Sequence, residues 1–229
     1  MNIRILFACW IFILPNLVLA QNEGQVWLEA GFKAKITPEI SINTENNNRF
    51  GGNGLSTSFT QFSLKYKLFK WVNASIDYRI ISKKQANKNY LNSNRINSNL
   101  SFSYKQNRVS GNFRLRYQYA FGRIFSNDYE PDFDNAIRLR PRIKYDIENS
   151  IFTPSFSCEF YYNPSNGPLG KRFNKIRTSA GIDLELEGPH ELGFSFLYDR
   201  KINLPDPTNY LILKLSYAYK ISLYKKSSR

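Results

Sequence analysis

Histidine occurs once in the 229 residues, at His190, and cysteine twice, at Cys9 and Cys158. His190 sits in a "GPH" turn with no serine at hydrogen-bonding spacing on the same strand. This removes the Ser–His constellation that membrane-embedded lipid hydrolases need. Cys9 lies in an apolar N-terminal run. Once that run is cleaved, Cys158 stands alone, so no disulfide and no Cys-built zinc or iron–sulfur site can form. Nothing else in the chain calls for a metal or cofactor. Cys158, on the apolar set of "FTPSFSCEFYY", reads as a small hydrophobe. Long apolar runs are also lacking after residue 20, so no spanning helix is expected there. Acidic residues are scarce: 18 Asp and Glu stand against 32 Lys and Arg, a net charge of +14. No basic helix or run carries that charge, which argues against nucleic acid as the partner.

The first twenty residues read as a secretory signal peptide. "MNIR" supplies a positive start, "ILFACWIFIL" an apolar segment, and "VLA" a small-residue cleavage site at Ala20. Cleavage takes Arg4 and no anion, lowering the net charge by one to +13. Residues 21–229 then form one domain.

That domain alternates with period two almost throughout. Val26, Leu28, Ala30 and Phe32 oppose Gln25, Trp27, Glu29 and Gly31. Phe113, Leu115, Tyr117 and Tyr119 oppose Asn112, Arg114, Arg116 and Gln118. Such alternation marks strands with two unlike faces. Strands are expected near 25–36, 39–48, 57–68, 72–82, 94–105, 108–121, 136–147, 150–162, 173–187, 190–202 and 208–223. Short connections ("TPE", "FKW", "QN", "EN", "GPH") alternate with long ones ("NNRFGGNGLS", "SKKQANKNYLNS", "GRIFSNDYEPDFDN", "NPSNGPLGKRF", "KINLPDPTN"). Gly, Pro, Asn and Asp dominate both kinds, as turn chemistry requires.

A soluble barrel would have to hold all the apolar side chains inside, on the order of fifty by the period-two count. A barrel of this size has no room for them. Turned inside out, the pattern fits an all-β, up-and-down transmembrane barrel of about 10–12 strands with a polar lumen, the outer-membrane type. "AIRLRPRIKYDI" (136–147) then points four cations into the lumen and its apolar set at lipid. Eleven segments would place the termini at opposite ends, whereas bacterial single-chain barrels usually have an even count. That allows a missed strand, a luminal path for Gln21–Gly24, or a first segment short of a full wall strand. The tail "KKSSR" lacks a terminal aromatic; Tyr224 is the nearest.

The expected luminal network has a basic group, Arg79, Arg114, Arg116, Arg138, Arg140, Arg142, Lys144, Lys175 and Arg177. Its acidic group is Asp77, Glu159, Asp183, Glu185 and Asp199. Four functions compete. Mutual neutralisation gives a structural plug; an excess of Arg and Lys gives a narrow anion-leaning channel for small anionic solutes. The basic segments "SKKQANK" and "GKRFNK" could instead dock another envelope protein or the phosphates of lipopolysaccharide. Asp183 and Glu185 could do acid–base work, but two acids in a basic lumen are more simply ion-pair partners. A two-residue turn at Glu148–Asn149 would pair Ile147 with Ser150 and set Arg138 opposite Glu159. A register shift of two would set Arg140 there instead.

The segments "QVWLEAGF", "IDYRI", "RLRYQYAFG", "RLRPRIKYDI" and "CEFYYNP" resemble the outer-membrane proteins catalogued as domain of unknown function 2490, common in Bacteroidota. The resemblance spans nearly all of residues 25–221. It implies a barrel in the outer membrane of a Gram-negative cell, in contact with its lipid and lipopolysaccharide. It implies no activity and lends no catalytic residues.

The mature protein is expected to begin at Gln21 and to fractionate with outer membrane. N-terminal sequencing and membrane fractionation check this; intact protein in the soluble periplasmic fraction would contradict the inside-out reading.

Overall fold

The computed structural model describes residues 22–85, 89–121, 134–164, 171–204 and 207–224. It contains eleven strands. They are β1 (Asn22–Lys35), β2 (Ile40–Gly51), β3 (Gly54–Phe69), β4 (Val72–Lys84), β5 (Tyr90–Gln106), β6 (Val109–Phe121), β7 (Ala136–Tyr145), β8 (Phe152–Asn163), β9 (Arg172–Glu185), β10 (His190–Lys201) and β11 (Asn209–Ser222). Each pairs with its chain neighbours, and β1 pairs with β11, closing the sheet into a barrel.

The odd count resolves at that seam. β1 and β11 run parallel through fourteen residue pairs, from Asn22↔Asn209 to Lys35↔Ser222. All other pairs are antiparallel. The first segment is therefore a full wall strand, not a luminal or partial one. Its start lies at the end of the barrel that carries the 85–89, 122–135, 164–171 and 202–208 connections, here called the long-loop end. The chain leaves β11 at the opposite, short-turn end. There Lys35 donates to the Tyr224 hydroxyl at 2.9 Å and lies over its ring.

The two faces are inverted relative to a water-soluble protein. Ile76, Phe156 and Phe196 are 59%, 52% and 50% exposed, while Asp199 and Glu159 are 2% and 3% exposed. Charged side chains are almost never fully buried unless paired, and contiguous apolar surface on this scale is foreign to soluble monomers. A closed barrel with every strand edge paired and an apolar outer face is the β solution for crossing a bilayer. Aromatic contacts gather at both rims. Phe69, Trp71, Phe102 and Phe113 form a run of stacked and tilted rings at the short-turn end. Tyr119–Phe121 and Tyr162–Phe173 pack edge-on towards the other. Cys158 is half-buried on the outward set of β8.

Two expected long loops shorten, "SKKQANKNYLNS" to the 85–89 connection between β4 and β5 and "NNRFGGNGLS" to a tight turn. "NNRFGGNGLS" is not a long loop. β2 and β3 continue until Gly51 faces Gly54, joined by Gly52–Asn53, with a bulge at Arg49/Phe50. Gly54 has φ 81°, the left-handed region in which glycine costs little. Gly and Asn density signalled turn chemistry there, and turn chemistry does not measure loop length. Of the two β7–β8 registers open in the sequence, the structure takes the one shifted by two. Arg138 faces Tyr161 and Arg142 faces Ser157, two residues from the alignment a two-residue turn would give. β7 stops at Tyr145, and the Asp146 N–H bonds back to the Arg108 carbonyl at 2.8 Å, so the 146–151 connection is wider. Register pairs are missing around Pro141, whose ring nitrogen has no proton to give the ladder. The proposed signal segment, 1–20, and the tail 225–229 lie outside the described residues.

The barrel wall makes a packing demand at Gly181. A Cβ there would lie 2.3 Å from the Ser195 hydroxyl and 2.7 Å from the Phe194 carbonyl. Overpacking against backbone typically costs about 1–3 kcal/mol. Gly181→Ala is therefore expected to lower the thermal unfolding midpoint in detergent. Gly111→Ala, whose Cβ would meet only the Tyr104 carbonyl at 4.0 Å, is expected to leave it unchanged.

Candidate functional site: the charged lumen

Inward-pointing positions of β6 and β7 put cation opposite cation. Arg116 faces Arg138 and Arg114 faces Arg140. Directly opposed like charges destabilise a strand pair, so carboxylates must reach in from other strands. Glu159 on β8 takes Arg138 at 3.1 and 2.8 Å, and Arg114 at 2.6 Å. The Tyr161 hydroxyl donates to it at 3.3 Å. Asp77 on β4 takes Arg116 at 2.9 Å and the Asn99 amide at 3.0 Å. Asn99 in turn accepts from the Arg116 Nε. Asp183 is shared by Arg142 at 3.0 Å and Lys144 at 2.6 Å. Asp199 holds Lys175 at 3.2 Å and Arg177 at 2.5 Å. Arg79 is satisfied by a neutral partner, donating twice to the Gln61 carbonyl oxygen at 3.0 and 2.6 Å.

The expected network residues thus come together, with two exceptions. Glu185 is exposed at the short-turn rim opposite Glu191 and joins none of the ion pairs described. Arg140 faces the lumen without an ion pair, and its buried Nε has no acceptor. The Asp183–Glu185 acid pair does not form, because Asp183 is held by Arg142 and Lys144. His190 is an exposed rim residue whose Nδ1 lies 2.9 Å from the Tyr217 hydroxyl. "GKRFNK" is not an exposed loop either. Arg172 opens β9, and Lys175 is buried in its ion pair. In "SKKQANK", Lys84 donates to the Asn53 carbonyl at 2.9 Å, and residues 86–88 lie outside the described chain.

Three aromatic residues on the inward set did not stand out as functional by sequence. Phe59 lies between Arg79 at 3.7 Å and Arg49 at 5.2 Å. Trp27 lies between Arg49 at 3.8 Å and Arg177 at 4.8 Å. Tyr161 receives Lys175 at 4.0 Å, Arg138 at 4.3 Å and Arg177 at 5.6 Å. The result is a continuous stack, Arg79–Phe59–Arg49–Trp27–Arg177–Tyr161–Arg138, across the lumen. Each desolvated cation–π contact contributes about 2 kcal/mol. The available signal was a bulky ring among polar neighbours, as with Trp27 between Gln25 and Glu29.

Around this stack every strand supplies a buried luminal residue. Trp27, Asn47, Phe59, Arg79, Asn97, Gln118, Arg138, Tyr161, Lys175, Leu197 and Ile212 are each at most 8% exposed. Below this layer the lumen widens into a cavity of about 580 Å³. Its floor includes Trp27, Phe59, Arg138, Arg177 and Leu197, and its wall reaches Lys33, Lys65 and Lys144 near the short turns. Among the described residues, twelve cations and six carboxylates line it.

A family model described as "Protein of unknown function (DUF2490)" matches residues 24–222. The chain belongs to that family. The DUF2490 match runs from inside β1 to the last residue of β11, so it takes in the whole barrel. Two solved structures are similar. One is a NanC porin, at 13% identity and a TM-score of 0.47, covering 75% of this chain and 86% of that one. The other is a bacterial polysaccharide outer membrane secretin, at 9% identity and a TM-score of 0.42, covering 80% of this chain and 62% of that one. The search of curated proteins finds no match.

Glu159 is the keystone of the basic wall. Removing one partner of a buried ion pair strands the other charge and costs about 3–5 kcal/mol. Glu159→Gln is expected to lower the unfolding midpoint strongly, with partial recovery in high salt. Asp146→Asn, which breaks only the exposed pair with Lys105, is expected to have no measurable effect.

Proposed function

We propose that the protein is an outer-membrane barrel whose lumen is closed towards the long-loop end and opens at the short-turn end as a basic, anion-leaning vestibule. In outer-membrane barrels the short turns face the periplasm, so the vestibule faces inward to the cell. Outer-membrane placement is supported by the apolar belt, the aromatic contacts at both rims and the export signal read in residues 1–20. One observation carries the closure: the layer of buried luminal residues, one from each strand, of which Trp27, Asn47, Phe59, Arg79, Arg138 and Leu197 also line the cavity. A barrel of eleven strands lies between the filled eight-stranded and the open sixteen-stranded types. Its own side chains therefore decide whether it conducts, and here they interlock cation against ring.

The vestibule's charge gives it a sign. Cations outnumber carboxylates on its wall two to one. A confined surface of one sign concentrates counter-ions, which here are anions.

Wild-type protein reconstituted in planar bilayers is expected to carry no steady current. The Phe59→Ala/Tyr161→Ala double variant removes two rings from the buried layer and is expected to open an anion-selective conductance. A steady current through the wild type would overturn the closed reading in favour of a narrow constitutive channel.

A further inference from the structure

The ion pairs of the basic wall leave one position incomplete. Of the two arginine pairs directly opposed between β6 and β7, Arg116 and Arg138 each have a carboxylate of their own, Asp77 and Glu159. The second pair, Arg114 and Arg140, has only the share of Glu159 that Arg114 takes. Arg140 cannot join it there. A carboxylate offers about four lone-pair sites, and Glu159 already receives four donors: Arg114 and the Arg138 Nε on one oxygen, the Arg138 Nη2 and Tyr161 on the other. Asp183 is occupied by Arg142 and Lys144. The Nε atoms of both Arg114 and Arg140 are buried without an acceptor. A buried guanidinium N–H left unbonded costs about 1–3 kcal/mol, and like charges face each other across the same strand pair.

We infer that Arg140, with Arg114 opposite and Arg142 beside it, is a binding site for the oxyanion of a small solute, a carboxylate or phosphate group reaching it through the vestibule. Resting on the vestibule reading above, this names what the vestibule takes. The guanidinium fork matches both groups bidentately. Arg114 and Arg140 both line the cavity, and an oxyanion between them takes the guanidinium donors that face it and adds negative charge to a pair that shares a single carboxylate. Ser155 and Ser157 on the adjoining strand line the same cavity and offer hydroxyls to the remainder of the solute. A cavity of about 580 Å³ falls within the range of small-molecule pockets.

The test uses the mature, detergent-folded protein and its thermal unfolding midpoint in chloride, acetate and inorganic phosphate at equal ionic strength. Acetate or phosphate is expected to raise the midpoint above the chloride value, and the larger shift tells carboxylate from phosphate. Arg140→Gln is expected to lose that response. In chloride its midpoint should stay near that of the wild type, because the Arg140 side chain makes no hydrogen bond or ion pair that is lost. Arg140→Lys keeps the charge without the fork, and is expected to need about tenfold more anion for the half-maximal shift. Lys105→Gln, on the outer rim, should respond as the wild type does. A wild type that responds equally to all three anions, or an Arg140→Gln variant that keeps the full response, overturns the site. The readout is independent of conductance. A conducting barrel that still shows the anion shift defeats only the closed reading, and a silent barrel without the shift defeats only this site.

Discussion

Closure of the sheet is the constraint on which everything else in the molecule depends. A strand edge left unpaired in hydrocarbon would expose backbone donors and acceptors with no water to satisfy them. Eleven strands cannot close antiparallel throughout, so the last seam must be parallel, and β1 and β11 provide fourteen consecutive residue pairs along it. That seam sets the start of β1 and the end of β11 at opposite ends of the barrel. It also brings Trp27 on β1 beside Lys214 and Ile212 on β11, next to Leu197 on β10. One corner of the luminal floor therefore exists only because the barrel is closed.

Closure also creates the electrostatic problem that the lumen solves. Strands that alternate apolar with charged residues send every charge to one enclosed space. Arginine-rich β6 and β7 are neighbours, so their cations face one another directly. The carboxylates that compensate them come from further away in the chain. Glu159 lies 45 residues from Arg114, and Asp77 lies 39 from Arg116. Ring faces and amides hold further cations: Arg79 has Phe59 and Gln61, and Arg49 has Trp27. The same interactions that neutralise the wall also pack the lumen at that level.

Below that layer the packing gives way to a cavity in which compensation is less complete. Arg142 and Lys144 share a single aspartate, and Arg140 has none. The charges become more exposed towards the short turns, as at Lys33, Lys65 and Lys144. The described luminal side chains are thus graded along the barrel axis, from a buried, interlocked layer to more exposed basic positions.

Most of this architecture was legible in the residues because it depends on a local rule. Period two assigns each side chain to a face, so the inward position of Arg138, Glu159 and Asp199 and the outward position of Phe156 and Leu215 follow from the chain alone. So did the eleven strands, to within a few residues at their ends. Pairing was not legible. A shift of two residues keeps every face intact, and the β7–β8 alignment turned on where β7 stopped and how wide the 146–151 connection was. Which cation meets which carboxylate, which rings lie between them, and which arginine is left over depend on contacts between strands distant in sequence. Alternation by itself determined a membrane-spanning barrel with a charged interior. Only the closed tertiary structure decided which cation meets which carboxylate and that Arg140 makes no ion pair, because strand register and side-chain partnership are set by the whole ring of strands together.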